Sequence, residues 1–287
     1  MMDELSERRR LSFGSVAEQY DRARPGYPDA MIDETLAYAG ISDIAGPQAS
    51  NALDGGGGNS ARALEVGAGT GIATRQFAAR GLAITVLEPD AEMIAVNHSR
   101  ADLEGIELTL QLTDFEHAEF EPHSFQLVYS ATAWHWVTPG LRYELAARAL
   151  ASGGALATFW NTPVWSGTAI RPALDQVYND VAARFAVTWS GVESPTVGQP
   201  DADQENEWER ELDGNLDFTD LELRYYTWHQ AYTREQYLTL IGTHSDHVLL
   251  RDEARAALYE GIAAVIDDVG GSFEVEYRTR LHLLRRL

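Results

Sequence analysis

Two glycine-rich runs lie close together in the chain, GGGG at residues 55–58 and GAGTG at residues 67–71. Glycine lets the backbone turn sharply and lets a ligand approach it without a Cβ in the way. The second run ends a strand-like segment, ARALEV, and begins a helix-like one, so free amides at the helix N-terminus would face a ligand. The first run has no helix after it and is predicted to be a surface linker. We therefore predict that GAGTG forms the ligand-binding loop.

Two acidic residues follow this loop, each at the end of a predicted strand. Glu88 lies about 20 residues beyond the loop, where a carboxylate can accept both hydroxyls of a ribose. Asp114 ends the third strand in the same way. The loop has the spacing G-x-G-x-G rather than the dinucleotide pattern G-x-G-x-x-G, and it contains no arginine or lysine to neutralise a pyrophosphate. These acidic surroundings favour a cationic nucleoside ligand.

A histidine between two tryptophans, in the stretch Trp134-His135-Trp136, follows the fourth predicted strand. Ligands of parallel sheets bind at this end of the strands, so His135 is a candidate general base. It could instead shape the pocket or bond to a neighbour, and the tryptophans could exclude water, stack on a planar substrate or only anchor the loop. His244 and His247 have i, i+3 spacing but no third ligand in view, so no metal site is predicted.

Strand-like and helix-like segments alternate from Ala61 to about Asn161. The predicted strands are ARALEV, AITVLEP, IELTLQLTD, FQLVYSATA and ALATFWN. Helices are predicted for IATRQFAAR, for DAEMIAVNHSR with Asp90 as its N-cap, and from Thr138-Pro139 to Leu150. Strands that are separated by single helices predict a parallel sheet covered by helices.

The segments on either side of this core have other patterns. Residues 11–40 are predicted to be helical with a break at 24–28, and residues 168–186 form a long predicted helix. Residues 201–217 are dense in charge and are predicted to be solvated, whereas LELRYYTWHQ and FEVEYRTRLHLLRR predict two late strands around helices at 233–268. We predict an α/β fold with a Rossmann-like doubly wound sheet, mostly parallel with a late antiparallel strand, plus a helical lid.

The charge of the chain restricts its partners. Its 287 residues include 44 acidic and 22 basic residues, and the net charge is −22. Every one of the basic residues is arginine. The negative electrostatic field of such a chain repels phosphate backbones, which argues against nucleic acid as a partner. The lysine-free composition fits either a high-GC genome or a salt-rich cytoplasm. Without cysteine or lysine there is no thiolate nucleophile and no Schiff-base lysine. No apolar run could span a membrane and no secretory signal is visible, which predicts a cytoplasmic protein without a membrane partner.

Five stretches over most of the chain carry a resemblance to a known family: FGSVAEQYDRARPGYP, LEVGAGTGIATRQFAARG, VLEPDAEMIAV, TDFE and SATAWHWV. Together they resemble the class I S-adenosylmethionine-dependent methyltransferases, especially the type 11 small-molecule branch. Some relatives with the WHW stretch methylate small carboxylic acids such as trans-aconitate. The GGGG insertion before the first strand departs from the family's pattern and is expected to affect only the surface.

The resemblance implies a place for each part of the cofactor S-adenosylmethionine. Glu88 would hold the ribose, and Met93, unless it is plain core, would pack on the adenine. Asp114 and the backbone of Phe115 would bind the adenine amino group. The residues that would line the methionine end are Glu65, Gly67, Ala68 and Gly69.

The resemblance also implies residues that cover the cofactor and surround the acceptor. Tyr20 and Arg24 would fold over the cofactor, where Arg24 could pair with a carboxylate or only anchor the lid. The expected acceptor residues, besides His135 as the catalytic base, are Trp134, Trp136, Thr243 and Ser245. Four lid tryptophans fit an enclosed, largely apolar pocket, although core packing could also explain them: Trp165, Trp189, Trp208 and Trp228.

The expected protein is therefore a methyltransferase that transfers a methyl group to a small-molecule acceptor, at oxygen, with a carboxylate as one option. It would be a single domain, a monomer or homodimer, without a metal. Residues 11–40 would be lid helices, 61–161 the cofactor-binding core, 162–220 a lid insertion, and 221–287 the strands and helices that complete the sheet. Two alternatives remain open, a nicotinamide-dependent oxidoreductase and a cofactor-binding partner protein without catalysis.

Overall fold

A computed structural model describes residues 14–41, 61–187, 207–219 and 221–287 of the chain. The predicted GGGG linker and Trp189 lie outside these residues. Within the described ranges, no helix combines the length and the apolarity that crossing a bilayer requires. In the same ranges, no group of three or more histidine and acidic side chains is arranged to hold a metal ion.

One sheet of seven strands forms the centre of the fold. In chain order the strands are β1 (Arg62–Val66), β2 (Ala83–Leu87), β3 (Leu108–Gln111), β4 (Phe125–Ala131), β5 (Leu150–Val164), β6 (Glu222–Thr233) and β7 (Ser272–Arg285). Their order across the sheet is β3-β2-β1-β4-β5-β7-β6. The first five strands are parallel, and β7 lies antiparallel between β5 and β6. The predicted doubly wound sheet with a late antiparallel strand is confirmed.

Helices cover the sheet and extend beyond its carboxyl edge. They are α1 (Ala17–Ala23), α2 (Asp29–Tyr38), α3 (Ile72–Ala78), α4 (Ala91–Glu104), α5 (Arg142–Ala149), α6 (Arg171–Phe185), α7 (Glu207–Arg210), α8 (Arg234–Ile241), α9 (Ser245–Val248) and α10 (Asp252–Asp268). Asp90 caps α4 as predicted, since its side chain accepts hydrogen bonds from the backbone amides of Glu92, 2.9 Å, and Met93, 3.1 Å. Side-chain caps of this kind satisfy amides that have no partner within the helix.

The start predicted for the third core helix is wrong. The helix α5 begins at Arg142 and not at Thr138-Pro139. Gly140 has φ +81°, and the amide of Leu141 donates to the carbonyl of Thr138 at 3.2 Å, so this segment forms a turn. Glycine favours that left-handed conformation over continuing a helix.

The core lies on both faces of the sheet. On one face, Phe77 of α3 stacks on Tyr129 of β4 with ring centroids 4.2 Å apart, next to Phe159 of β5. The other face packs the apolar residues of β1 and β4 against α5. A third cluster lies beyond the edge of the sheet and joins α6, α8 and α10 with the ends of β6 and β7. This arrangement leaves the carboxyl ends of β1, β2 and β4 to form the site.

Residues 201–217 are not wholly solvated, contrary to the prediction. Glu209 is buried, and its carboxylate pairs with Arg280 at 2.7 Å and with His282 at 3.0 Å, both on β7. Trp208 beside it is half-buried, and its carbonyl accepts a hydrogen bond from the Tyr143 hydroxyl at 2.6 Å. The described part of this segment therefore packs onto the sheet through contacts with residues far away in sequence.

Candidate active site

The glycine loop joins β1 to α3 in the geometry that a close ligand approach requires. Gly67, Gly69 and Gly71 have φ values of +69°, +56° and +85°, which favour glycine at each position. The amides of Gly67 and Ala68 both donate to the carbonyl of Leu87, so the loop is tied to the end of β2. The space above Gly67 is already filled, since a Cβ added there would lie 2.5 Å from the Cβ of Ala133. The segment after β4 therefore packs directly on the loop.

Glu65 lies beneath the loop and is fully buried. Its Oε2 accepts hydrogen bonds from the hydroxyls of Thr74, 2.6 Å, and Tyr129, 2.9 Å. Its Oε1 is buried and has no hydrogen-bond partner among the described residues. Burial is the main cause that raises the pKa of Glu65 to about 7. An acidic oxygen without a donor at this position fits a cationic ligand group above it.

Glu88 joins the loop to the start of α4. Its Oε2 accepts a hydrogen bond from the amide of Gly69 at 2.8 Å, and its Oε1 accepts one from the amide of Asp90 at 2.9 Å. A carboxylate has about four acceptor sites, of which these two bonds use two. Only about 7% of Glu88 is exposed, which holds the carboxylate in a fixed direction.

Met93, on the first turn of α4, lies beside the loop. Its Cε is 3.6 Å from the position that a Cβ on Gly69 would take. Met93 is buried and packs in a small cluster with Ala17, Val96 and Tyr20, which brings α1 onto α4. Met93 is therefore part of an apolar cluster and also borders the ligand side of the loop.

Asp114 follows β3, and its neighbour Phe115 is buried. Asp114 Oδ1 accepts hydrogen bonds from the backbone amide of His117 at 3.1 Å and lies 2.6 Å from His117 Nδ1. The hydrogen bond and the charge of Asp114 raise the pKa of the exposed His117. The structure thus places the exposed His117 against a residue that is predicted to bind the cofactor.

The N-terminal helix α1 brings Tyr20 and Arg24 to the site. Arg24 lies over the ring of Tyr20, 4.9 Å from its centroid, and donates to the side chain of Thr243 at 2.9 Å and to its carbonyl at 3.2 Å. No carboxylate pairs with Arg24 among the residues that the structure describes. Thr243 is itself buried, so this predicted acceptor residue holds Arg24 in place.

A charge cluster holds α1 across the site. Asp21 accepts from Arg75 of α3 and pairs with Arg100 of α4, each at 2.8 Å, and only 7% of its side chain is exposed. Glu18 pairs with Arg100 at 3.3 Å. The helix α1 is thereby bound to both helices that begin next to the glycine loop and Glu88.

The stretch Trp134-His135-Trp136 forms a short 3-10 turn after β4. Trp134 is buried, and its ring packs 5.8 Å from Tyr143, so it belongs to the core more than to an open pocket. His135 has an exposed side chain 4.5 Å from Trp136, ring to ring. Desolvation, with the charge of Arg142, lowers the pKa of His135 to about 4. His135 is therefore neutral at physiological pH.

Two other predicted features lie apart from this turn. The side chain of Ser245 lies outside the described residues, although its backbone begins α9. His244 and His247 have ring centroids 5.7 Å apart in the cluster formed by α6, α8 and α10, where His247 Nε2 shares a hydrogen bond with the Tyr178 hydroxyl at 3.1 Å.

Sequence reasoning missed several residues that shape the site. Asn97 fits against Gly71, and Thr74 and Tyr129 hold Glu65. Trp160 of β5 lies 5.4 Å from Trp208, ring to ring, and Trp208 lies 6.4 Å from His135. Thr74 lies in the first turn of α3, and this position in the sequence could have indicated a partner for Glu65. The contacts of Trp160, in contrast, depend on the folded sheet.

Comparison with known proteins agrees with this geometry. Residues 63–154 match the family described as a methyltransferase domain. Uncharacterized methyltransferases of Mycobacterium tuberculosis and Mycobacterium bovis are each 35% identical over 152 residues, which is 53% of this chain and 53% of theirs. The chain thus spans about half the length of the curated relatives it matches.

A solved structure from Anaeromyxobacter dehalogenans, a candidate type II methyltransferase, has a similar fold. The TM-score is 0.59 at 17% sequence identity, covering 91% of this chain and 97% of that one. At this identity the likeness shows the fold alone. The names of these three proteins mention no methyl acceptor, so membership of the trans-aconitate-like branch stays a prediction.

Proposed function

We propose that the chain is a class I methyltransferase that transfers a methyl group from S-adenosylmethionine to the oxygen of a small-molecule acceptor. One observation carries the choice of cofactor: a loop of three glycines with positive φ lies between the carboxylates of Glu65 and Glu88. This site favours a cation. A pyrophosphate would meet two carboxylates there, which argues against a nicotinamide dinucleotide.

The polar groups of the site fit the cofactor group by group. Oε1 of Glu65, which has no hydrogen-bond partner among the described residues, would accept a hydrogen bond from the α-ammonium of the cofactor. Glu88 would accept hydrogen bonds from the ribose hydroxyls. Asp114, with the backbone of Phe115, would bind the adenine amino group while Met93 packs on the ring. Arg24 would pair with the α-carboxylate, in a bond of the strong, charge-assisted kind. The helix α1 would then act as a lid over the cofactor.

Catalysis would depend on positioning and on the removal of one proton. The cofactor, when bound, supplies a methyl group on a sulfonium, whose departing thioether is neutral. Alignment and desolvation alone supply up to about 7–11 kcal/mol in well-oriented reactions. Where the acceptor is a hydroxyl, its oxygen forms the new bond to carbon, the carbon–sulfur electron pair stays on sulfur, and the hydroxyl proton passes to His135. General bases typically contribute 10²–10⁴-fold.

Calorimetry with two ligands tests the cofactor. We expect S-adenosylhomocysteine to bind with a stoichiometry of one per chain and NADH to show no saturable binding. The reverse result would favour the oxidoreductase alternative. Transfer of labelled methyl groups from S-adenosylmethionine to compounds of a metabolite extract would then exclude the alternative of a cofactor-binding protein without catalysis.

A further inference from the structure

Two half-buried tryptophans, Trp136 and Trp208, lie beside His135, and a third, Trp160, contacts Trp208. The three together form what is here called the tryptophan cleft. We propose that the tryptophan cleft binds an uncharged, planar acceptor that carries a hydroxyl group, a phenol in chemical class, and orients that hydroxyl toward His135. This proposal rests on the proposed methyltransferase function and names the class of its acceptor.

The position of the cleft follows from its contact with the glycine loop. Ala133 occupies the space above Gly67, so the turn that carries His135 starts directly on the cofactor loop. Trp160 lies just past Phe159, which pairs with Ala131, the last residue of β4. The cleft is therefore at the carboxyl edge of β4 and β5, next to the end of the loop assigned to the methionine part of the cofactor.

The ring geometry of the cleft suits a flat ligand. The ring of Trp208 meets that of Trp160 edge to face at 5.4 Å, and it is tilted by 36° against the ring of His135. Their half-buried state leaves part of each indole open for contact. Aromatic side chains bind flat rings by offset stacking and edge-to-face contact.

Two arginines behind the cleft each have a carboxylate partner. Arg142 pairs with Glu211 at 3.3 Å, and Arg280 pairs with Glu209 at 2.7 Å. Burial keeps the neighbouring His282 neutral by lowering its pKa. Arg142 is about 2% exposed, so its charge acts on the cleft only through its field. Both arginines are therefore buried with a carboxylate partner and do not offer an open cation to an ionised acceptor.

This pairing of the arginines argues against a carboxylate acceptor. A carboxylate at neutral pH needs a free cation to offset its loss of hydration, and it needs no base to remove a proton. Arg24 has no carboxylate partner among the described residues, but it lies on α1 against Thr243 and is assigned to the cofactor. A neutral hydroxyl matches both the buried, paired arginines and the neutral His135.

Glu209 positions one wall of the cleft. Its carboxylate bridges Arg280 and His282 of β7, and Trp208 precedes it in the same short helix, α7. The ring of His282 also lies 4.7 Å from that of Trp160. Glu209 is thus a positioning residue that ties Trp208 to the strand facing Trp160.

Binding to the full chain saturated with S-adenosylhomocysteine tests the proposal. The probes are 2-naphthol, as the planar hydroxyl compound, and propane-1,2,3-tricarboxylate, as the carboxylate. We expect 2-naphthol to bind and to quench tryptophan fluorescence, and the tricarboxylate not to bind. The variant Trp160→Phe should lose part of the quenching, and Trp208→Ala should weaken naphthol binding about three- to tenfold, the range of one aromatic contact.

Matched variants separate this proposal from the cofactor assignment. Trp165→Phe is the control, because Trp165 lies outside the cleft and stacks on Phe273 in the α6–α8–α10 cluster. All three variants should bind S-adenosylhomocysteine like the parent chain. Binding of the tricarboxylate alone, no binding of either probe, or naphthol binding that Trp160 and Trp208 do not affect would each overturn the proposal. Failure of S-adenosylhomocysteine to bind would instead overturn the proposed function.

Discussion

The side-chain amide of Asn97 lies directly against Gly71, so that a Cβ added to Gly71 would come 2.3 Å from Asn97 Oδ1. Asn97 is fully buried and donates to the hydroxyl of Thr74 at 3.3 Å, which in turn donates to Glu65. A chain of contacts therefore runs from α4 through the glycine loop to the acid beneath it. The loop and its acid are held as one unit.

The variant Gly71→Ala should break this unit. Positive-φ strain and overlap with Asn97 together should destabilise the fold by about 2–4 kcal/mol, as urea unfolding would show. Gly105→Ala is the matched control, since Gly105 has φ +69° but nothing within 4 Å of the added Cβ. That control should cost only the strain, about 1–2 kcal/mol. Equal losses for the two variants would show that the Asn97 contact is unimportant.

Glu65 should make cofactor binding depend on pH. Its pKa of about 7 means that the carboxyl is largely neutral below that pH and ionises as the pH rises. A cationic cofactor prefers the ionised form, so calorimetric affinity for S-adenosylhomocysteine, which keeps the α-ammonium, should rise between pH 6 and 8. In Glu65→Gln the affinity should be weaker and nearly independent of pH over that range. If the affinity of Glu65→Gln still rises with pH as in the parent chain, a group other than Glu65 causes the pH dependence.

The same residue gives a prediction for stability without ligand. A carboxyl whose pKa is raised on folding stabilises the folded state fully below its unfolded value, 4.5, and this contribution is lost as the pH rises through about 7. Glu65→Gln keeps an acceptor for Thr74 and Tyr129 without the buried charge. Thermal unfolding at pH 8 should therefore show a higher Tm for Glu65→Gln, and the difference should shrink at pH 5.

Asp114→Ala should weaken cofactor binding by about 1.5–3 kcal/mol, the scale of a hydrogen bond to a charged group. Glu121→Ala is the control, because Glu121 is an exposed acid of the same segment. The loss of Asp114 should also lower the pKa of His117 toward its ordinary value, which NMR titration can follow. Unchanged affinity in Asp114→Ala would mean that the adenine lies elsewhere.

His135 should stay neutral across the physiological range. Its pKa of about 4 predicts that its ring signals do not shift between pH 5.5 and 8 in an NMR titration. His135→Gln should bind S-adenosylhomocysteine normally but lower kcat about 10²–10⁴-fold with a hydroxyl acceptor. A His135 that titrates near pH 6.5, or a variant with full kcat, would contradict its role as the base.

Asp21→Asn should loosen α1. Removing one carboxylate from two arginines at 2.8 Å should cost about 1–3 kcal/mol, between the values for exposed and buried pairs. Dissociation of S-adenosylhomocysteine, followed by stopped-flow fluorescence, should become faster. The exposed pair of Asp33 with Arg80 provides a control, and Asp33→Asn should leave the rate unchanged. If the two variants release S-adenosylhomocysteine at equal rates, α1 does not contribute to cofactor retention.

The parts of the site that were predictable are local in sequence. The strand, glycine loop and helix around residues 62–78 follow one another directly, and the Asp90 cap lies within three residues of the amides that it binds. The tryptophan cleft was not predictable. Trp160 and Trp208 are separated by 48 residues, and their contact depends on Glu209 reaching β7 across the sheet. Charge density at 201–217 indicated solvent exposure because sequence alone does not reveal the partners of Glu209.

Because β7 lies between β5 and β6, the two halves of the site can form at different times during folding. Strands β1 to β5, which carry the glycine loop, Glu88 and Asp114, pair with one another within residues 62–164. Arg280 and His282 reach the tryptophan cleft only after β7 has paired with β5 across more than a hundred residues of chain. Pairing over such separations forms slowly. During folding, the cofactor half of the site can thus form while the acceptor half is still open.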